Sequence, residues 1–320
     1  MKHSPRFALS ALQLVAFGLL APVALLAPLA PLLQAQGTAP SPPSAASKPL
    51  TFAQVAALPA PPADARLSYG PDSLQTGELR LPKGKGPFPV VVLIHGGCWL
   101  SQYDAHYVAA MATALAADGF AVWTPEFRRV GNPGGGYPGT FLDVARAVDF
   151  VRDIARTHAI DTSRVVLAGH SAGGQLVLLT AARKTLKASH PLATAAPLPI
   201  TGVVSIDGIT DLAGYAGTTG CNAAVPQLMD GMPPQQLERY ALMSPSELVP
   251  LRVRSRIVQG ALDVTVPMSQ AKSFVAKATA AGDDAQLVLL EHSAHFDPVA
   301  PISADWPAVL NAIRLMSRAP

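Results

Sequence analysis

The sequence predicts an α/β fold, a mostly parallel sheet with helices on both faces. Three observations carry that expectation. Apolar, β-branched runs such as residues 89–94 (PVVVLI) lack alternation, as strands covered on both faces do. Such runs alternate with helix-like stretches from Glu78 to the C-terminal end. Hydrophobic residues make up 49% of the 320 and charged residues 14%, which supplies a large core and excludes a disordered chain.

The elements follow in chain order. Residues 1–6 are short and basic, and 7–33 are almost wholly apolar. We expect residues 1–36 to be a secretory signal. An uncleaved N-terminal anchor is the competing expectation, although Pro22, Pro28 and Pro31 each disfavour a spanning helix. Residues 37–65 are rich in Pro, Ala and Ser and are expected to form a linker. The folded domain is then 66–320. Strands are expected at 78–81, 89–94, 120–124, 164–168, 202–206, 256–259 and 286–290. Helices are expected at 105–117, 141–157, 172–184, 269–281 and 305–318, with Thr140 and Asp143 as a starting box for the second. Residues 208–250 are too long for a plain connection and are expected to form a lid-like insert after the 202–206 strand, walling a substrate pocket.

In parallel sheets, ligands bind beyond the carboxyl ends of the strands, so the residues just after each strand deserve inspection. After 164–168 comes Gly169-His170-Ser171-Ala172-Gly173, and then a helix. This is the G-x-S-x-G elbow in its required setting, with Ser171 as nucleophile. After 89–94 comes His95-Gly96-Gly97-Cys98-Trp99, an HGG-type loop. Backbone N–H groups of Gly97, Cys98 and Ala172 are the expected oxyanion donors. Trp99 and His170 are candidate pocket residues. A serine needs a base, and the base needs an orienting carboxylate. Asp263 follows the 256–259 strand, and Asp207, after 202–206, is its rival. His295 lies in a loop with room to reach Ser171, whereas His292 sits close to its strand end. His3, His106, His158 and His190 show no pattern and are expected to be solvated.

The net charge of +3 comes from scattered Lys and Arg, which sets nucleic acid aside as a partner. No metal or dinucleotide pattern occurs, so no cofactor is expected. The two cysteines, Cys98 and Cys221, both lie in loops of the expected active face. In an exported protein they can form a disulfide.

HGGCW (95–99), PEFRR followed by GGGYPGTFLDVA (125–145), AGHSAGG (168–174), GALDVTVP (260–267) and AHF (294–296) resemble the α/β-hydrolase superfamily. The chain is most similar to the esterase/lipase branch, near bacterial hydrolases that are similar to kynurenine formamidase. The resemblance covers roughly residues 66–317. It implies an eight-stranded sheet, a Ser171–Asp263–His295 triad and no cofactor. Cys98 departs from the third glycine of the HGGG motif, and Ser293-Ala294 stand where a glycine is commoner before the histidine. The expected function is carboxylester hydrolysis of a small-molecule substrate, in a periplasmic or secreted protein with no stable membrane insertion once the signal is removed. An amidase, arylformamidase or exopeptidase using the same triad is the alternative. A non-catalytic binding protein on this fold is the third.

Overall fold

The computed structural model describes residues 48–318. The signal expected at 1–36 and the start of the linker lie outside the described residues. Eight strands form one sheet: β1 Ala65–Ser68, β2 Thr76–Arg80, β3 Phe88–Ile94, β4 Ala121–Pro125, β5 Ile160–His170, β6 Gly202–Ile206, β7 Ser255–Gly260 and β8 Ala285–Leu290. Their order is β1-β2-β4-β3-β5-β6-β7-β8. Strand β2 runs antiparallel to β1 and β4, and the other neighbouring pairs are parallel. The sheet is therefore mostly parallel, as the sequence implied. Strand β1 was not expected from its residues. It is four residues long, with alternating exposure at the sheet edge, too short for a periodic signal.

The β-branched runs divide their side chains between two cores. Val90, Val92 and Ile94 of β3 join one cluster, and Val91 and Leu93 join the other. Successive side chains of a strand point to opposite faces, so a strand covered twice must be apolar throughout. Each fully buried Val, Leu or Ile contributes about 1.5–3 kcal/mol.

The helices are α1 Phe52–Ala56, α2 Ala109–Ala117, α3 Gly139–Asp149, α4 Val151–Ile154, α5 Ala172–Ala181, α6 Leu212–Tyr215, α7 Ala224–Met229, α8 Leu237–Met243, α9 Met268–Ala280 and α10 Trp306–Ser317. Four expectations need correction. The 141–157 helix is interrupted at Phe150, giving α3 and α4. Thr140 and Asp143 do not cap α3, whose N-cap is Pro138. Asp143 is buried instead and accepts from Arg128 Nε (2.8 Å) and Gln75 Nε2 (2.7 Å). An ion pair inside the protein takes the carboxylate that a surface cap would have used. The expected linker contains α1, which a reciprocal cap between Thr51 and Gln54 starts and buried Val55 anchors. His190 is buried, not solvated. It accepts from Leu192 N–H at Nδ1 (3.1 Å), so Nε2–H donates to Leu242 O (2.9 Å).

The insert at 208–250 holds α6, α7 and α8. Its Leu212, Tyr215, Leu228, Met229, Tyr240 and Met243 are buried in the core that also takes Val90 and Val92. A disulfide joins Cys221 to Cys98, closing a loop of 123 residues. Loop closure of that length lowers the entropy of the unfolded chain by about 4–5 kcal/mol.

Candidate active site

Every candidate residue sits beyond the carboxyl end of a parallel strand: His95 after β3, Ser171 after β5, Asp207 after β6, Asp263 after β7 and His295 after β8. Ser171 occupies the turn from β5 into α5 with φ 55° and ψ −120°. A side chain at positive φ is costly and persists where the surroundings enforce it. The flanking glycines show why the turn closes. A Cβ on Gly169 would lie 2.3 Å from Gly173 O, and one on Gly173 would lie 2.2 Å from Ile94 O. No larger residue fits either place. Ser171 N–H donates to Ile206 O (2.8 Å), which ties the elbow to β6.

The oxyanion loop is held from several sides. Gly97, Cys98 and Trp99 have φ of 99°, 53° and 56°. The N–H groups of Gly97, Cys98 and Ala172 make no hydrogen bond among the described residues. Trp99 does not line the cavity. Its indole is buried and Nε1–H donates to Gln175 Oε1 (3.2 Å). Gln175 in turn donates to Met243 O (2.8 Å), so Trp99 fastens the loop to α5 and α8. His95 is structural too: its Nδ1 lies 2.8 Å from Gly96 O, and its Nε2 lies 3.0 Å from Arg129 Nη1 and 3.5 Å from Glu126 Oε2. Arg129 also pairs with Glu126. Burial alone would raise the Glu126 carboxyl, but His95 and Arg129 beside it hold it down to about 2.

His170 belongs to a directed chain of hydrogen bonds. Its Nε2–H donates to His295 O (2.7 Å), so Nδ1 accepts from the Tyr107 hydroxyl (2.8 Å). The Tyr107 oxygen accepts from Gly96 N–H (2.6 Å). One chain thus ties the oxyanion loop to the His295 loop through the residue beside Ser171. Burial, then the neighbouring His295, pushes the His170 ring well below its usual range, which keeps it neutral as these bonds require.

His295 is buried, and its Nδ1 lies 2.8 Å from Asp263 Oδ2. Asp263 Oδ1 accepts from the N–H groups of Thr265 (2.7 Å) and Val266 (3.0 Å), and Gln259 Nε2 donates to Oδ2 (3.3 Å). His292 is exposed and plays no part. Asp207 is buried, accepts one bond from Gly260 N–H (2.7 Å), and its Oδ2 has no partner among the described residues. Burial, then the charge of Asp263, drives its proton affinity well above the usual carboxyl range.

Ser171 and His295 share the wall of a cavity of about 150 Å³ with Gly97, Cys98 and His170. Ser171 Oγ makes no hydrogen bond among the described residues. In free enzymes such contacts are often long and tighten when substrate binds. The rest of the wall is Phe52, Tyr103, Tyr107, Thr265 and Phe296. None of residues 208–250 lines it, which corrects the expected pocket role of the insert. Its apolar side chains are spent on the core, and it supports the site from behind, through the Cys98–Cys221 bond and the Tyr215 hydroxyl, which donates to Thr265 O (2.9 Å). A larger cleft of about 520 Å³, between Arg66, Arg80, His106 and Glu126, holds none of the three candidate catalytic residues.

His170, Asp207 and His295 bring one potential ligand atom each within 4.8 Å of one another. Both ring nitrogens of His170 and Nδ1 of His295 are already bonded, so the cluster works as a hydrogen-bond network. Neither Tyr107 nor Phe52 stands in a motif that marked it in the sequence. Glu126 and Arg129 were visible only inside the PEFRR motif.

Comparison with known proteins finds esterases among those that this chain resembles. The chain is 25% identical over 242 residues to the isoprenylcysteine alpha-carbonyl methylesterase ICME of Arabidopsis thaliana, covering 72% of this chain and 55% of that one. It is 26% identical over 222 residues to esterase LipC of Mycobacterium tuberculosis, covering 66% and 53%. The chain thus spans little more than half the length of these curated relatives. Among solved structures, a truncated carbohydrate esterase from gut microbiota superposes with a TM-score of 0.68 at 21% identity, covering 80% of this chain and 99% of that one. A bacterial heroin esterase does so with 0.64 at 22%, covering 80% and 84%. Likeness at that identity speaks for the fold. The pattern of the BD-FAE family matches residues 78–278, more than half of the chain and all but the last of the strand ends described above. The chain therefore belongs to the BD-FAE family, within the esterase/lipase branch of the α/β-hydrolases.

Proposed function

We propose that the protein is a serine carboxylesterase acting through Ser171, His295 and Asp263. The observation that carries this is the 2.8 Å bond between His295 Nδ1 and Asp263 Oδ2, made at the edge of the cavity that exposes Ser171. Nδ1–H donates to the carboxylate, so Nε2 is left as the base. Ser171 Oγ attacks the ester carbonyl while its proton passes to His295 Nε2. The carbonyl oxygen becomes an oxyanion, and the unpaired N–H groups of Gly97, Cys98 and Ala172 are placed to donate to it. Each such donor is worth about 2.7–4 kcal/mol in the transition state. Nε2–H then protonates the leaving alcohol, giving an acyl-enzyme. Water, deprotonated by the same nitrogen, releases the acid.

The names of the relatives support ester substrates. The test is turnover of p-nitrophenyl acetate and butyrate by the wild type and by Ser171→Ala. We expect a loss of about 10⁴–10⁶-fold in kcat. Full activity in the variant would reject the mechanism, and faster cleavage of N-formylkynurenine than of any ester would favour the amide-cleaving alternative.

We also propose that residues 1–36 direct export to the periplasm or medium. The basic start, the apolar stretch at 7–33 and the Cys98–Cys221 disulfide support this. Among the described residues, no helix is long and apolar enough to cross a membrane. N-terminal sequencing of the protein from a fractionated host tests it: a mature chain starting near Gly37 outside the cytoplasm is expected, and an intact Met1 in the cytoplasm is the contrary result.

A further inference from the structure

We propose that Phe52, from the helix ahead of the sheet, sets the size of the group that the catalytic cavity accepts, limiting it to short, uncharged chains. This inference rests on the esterase reading and names its substrate class.

The cavity is small. Pockets for drug-sized ligands usually start at about 300 Å³, and this one is about 150 Å³. Its wall carries no Lys, Arg, Asp or Glu, and four aromatic rings supply the apolar part. A charged group would lose its hydration there without a partner.

Phe52 closes this wall from outside the hydrolase core. It precedes β1 and the 78–278 family match. Its ring centroid lies 5.4 Å from Tyr103, 5.4 Å from Tyr107 and 5.7 Å from Phe296, distances typical of aromatic packing. The segment is fastened at its start. Leu50 N–H donates to Asp297 Oδ1 (3.0 Å), and Asp297 Oδ2 accepts from Ala294 N–H (2.8 Å). The arm therefore holds the same loop that carries His295.

The other three rings are tied to the chemistry. The Tyr107 hydroxyl belongs to the chain between Gly96 and His170, Phe296 follows His295, and the Tyr103 Cβ lies 2.3 Å from where a Cβ on Gly97 would fall. Phe52 contributes a hydrocarbon ring and no polar atom. Its truncation enlarges the cavity without breaking a side-chain hydrogen bond, and unlike Phe296 it does not adjoin His295 in the chain.

The experiment measures kcat/KM for p-nitrophenyl esters from two to twelve carbons and for acetates of straight-chain alcohols, in the wild type, Phe52→Ala, Phe52→Leu and Phe52→Trp. In the series whose variable group enters the cavity, the wild type is expected to lose at least tenfold between four and eight carbons. Phe52→Ala should raise the eight-to-two-carbon ratio at least tenfold, mainly through KM, with Phe52→Leu intermediate. Phe52→Trp should lower the four-to-two-carbon ratio. Thermal unfolding of each variant separates a change of size from loss of the arm, and Phe52→Leu keeps an apolar contact if the alanine variant melts early. Ratios that match the wild type within twofold in both series, for folded Ala and Leu variants, would overturn the inference, as would a wild type that prefers eight carbons. If the wild type cleaves acetate through Ser171 and these ratios stay fixed, only this inference falls. If it cleaves no ester, the esterase reading falls first.

Discussion

The ends of β6 and β7 make an instructive pair. Each strand finishes in an aspartate whose carboxyl is buried: Asp207 just after β6, Asp263 three residues after β7. Asp263 receives two backbone N–H groups, the Gln259 amide and His295 Nδ1. Asp207 receives Gly260 N–H alone, with its second oxygen unpartnered among the described residues. Donors stabilise a carboxylate and burial without donors favours the acid, and Asp207 falls on the second side. Both carboxyls lie near the His295 ring, but among the described residues only that of Asp263 is hydrogen-bonded to it.

Removing Asp263 is the sharpest way to break the comparison. Asp263→Ala should lower kcat/KM by about 10⁴-fold on short esters. A loss of tenfold or less would mean that Asp207 serves His295 equally well.

Asp207→Asn should cost less than tenfold in kcat/KM, and its larger signature is in stability. The folded state holds the Asp207 proton more tightly than the unfolded chain, whose carboxyl titrates near about 3.9. Folding therefore binds protons above that pH, and stability falls as pH rises toward the elevated folded value. Asparagine removes this titration. The Tm of Asp207→Asn relative to wild type should climb between pH 4 and pH 8, by about 2–4 °C for each kcal/mol. A Tm difference that is flat or declining across that range would show that Asp207 is ionised in the fold.

The smallest effect belongs to the outer support of Asp263. Gln259→Met removes one long donor, at 3.3 Å. A net hydrogen bond of about 1 kcal/mol corresponds to about fivefold in kcat/KM. No change would place the support of Asp263 wholly in the Thr265 and Val266 N–H groups.

What the sequence disclosed, and what it hid, follows from range. Ser171, Asp263 and His295 were visible because each stands in a short motif just past a β-branched run. The sheet was visible because β3 to β8 carry that run, whereas β1, four half-exposed residues, does not. Partners distant in the chain left no local trace. Tyr107 meets His170 across 63 residues, and Leu50 meets Asp297 across 247. The insert misled for a similar reason. Its Gly and Pro content suggests a loop over the site, but its scattered Leu, Met and Tyr residues fill the core. Trp99 likewise sits in a catalytic motif yet serves as an anchor.

The central claim is that Ser171 is a nucleophile made reactive by His295. Peptide mapping by mass spectrometry after treating the native protein with a fluorophosphonate tests it most directly. One adduct per chain is expected, on the peptide containing Ser171, with labelling at least a hundredfold slower in His295→Ala. An adduct on another residue, or a folded wild type that stays unlabelled, would contradict the account.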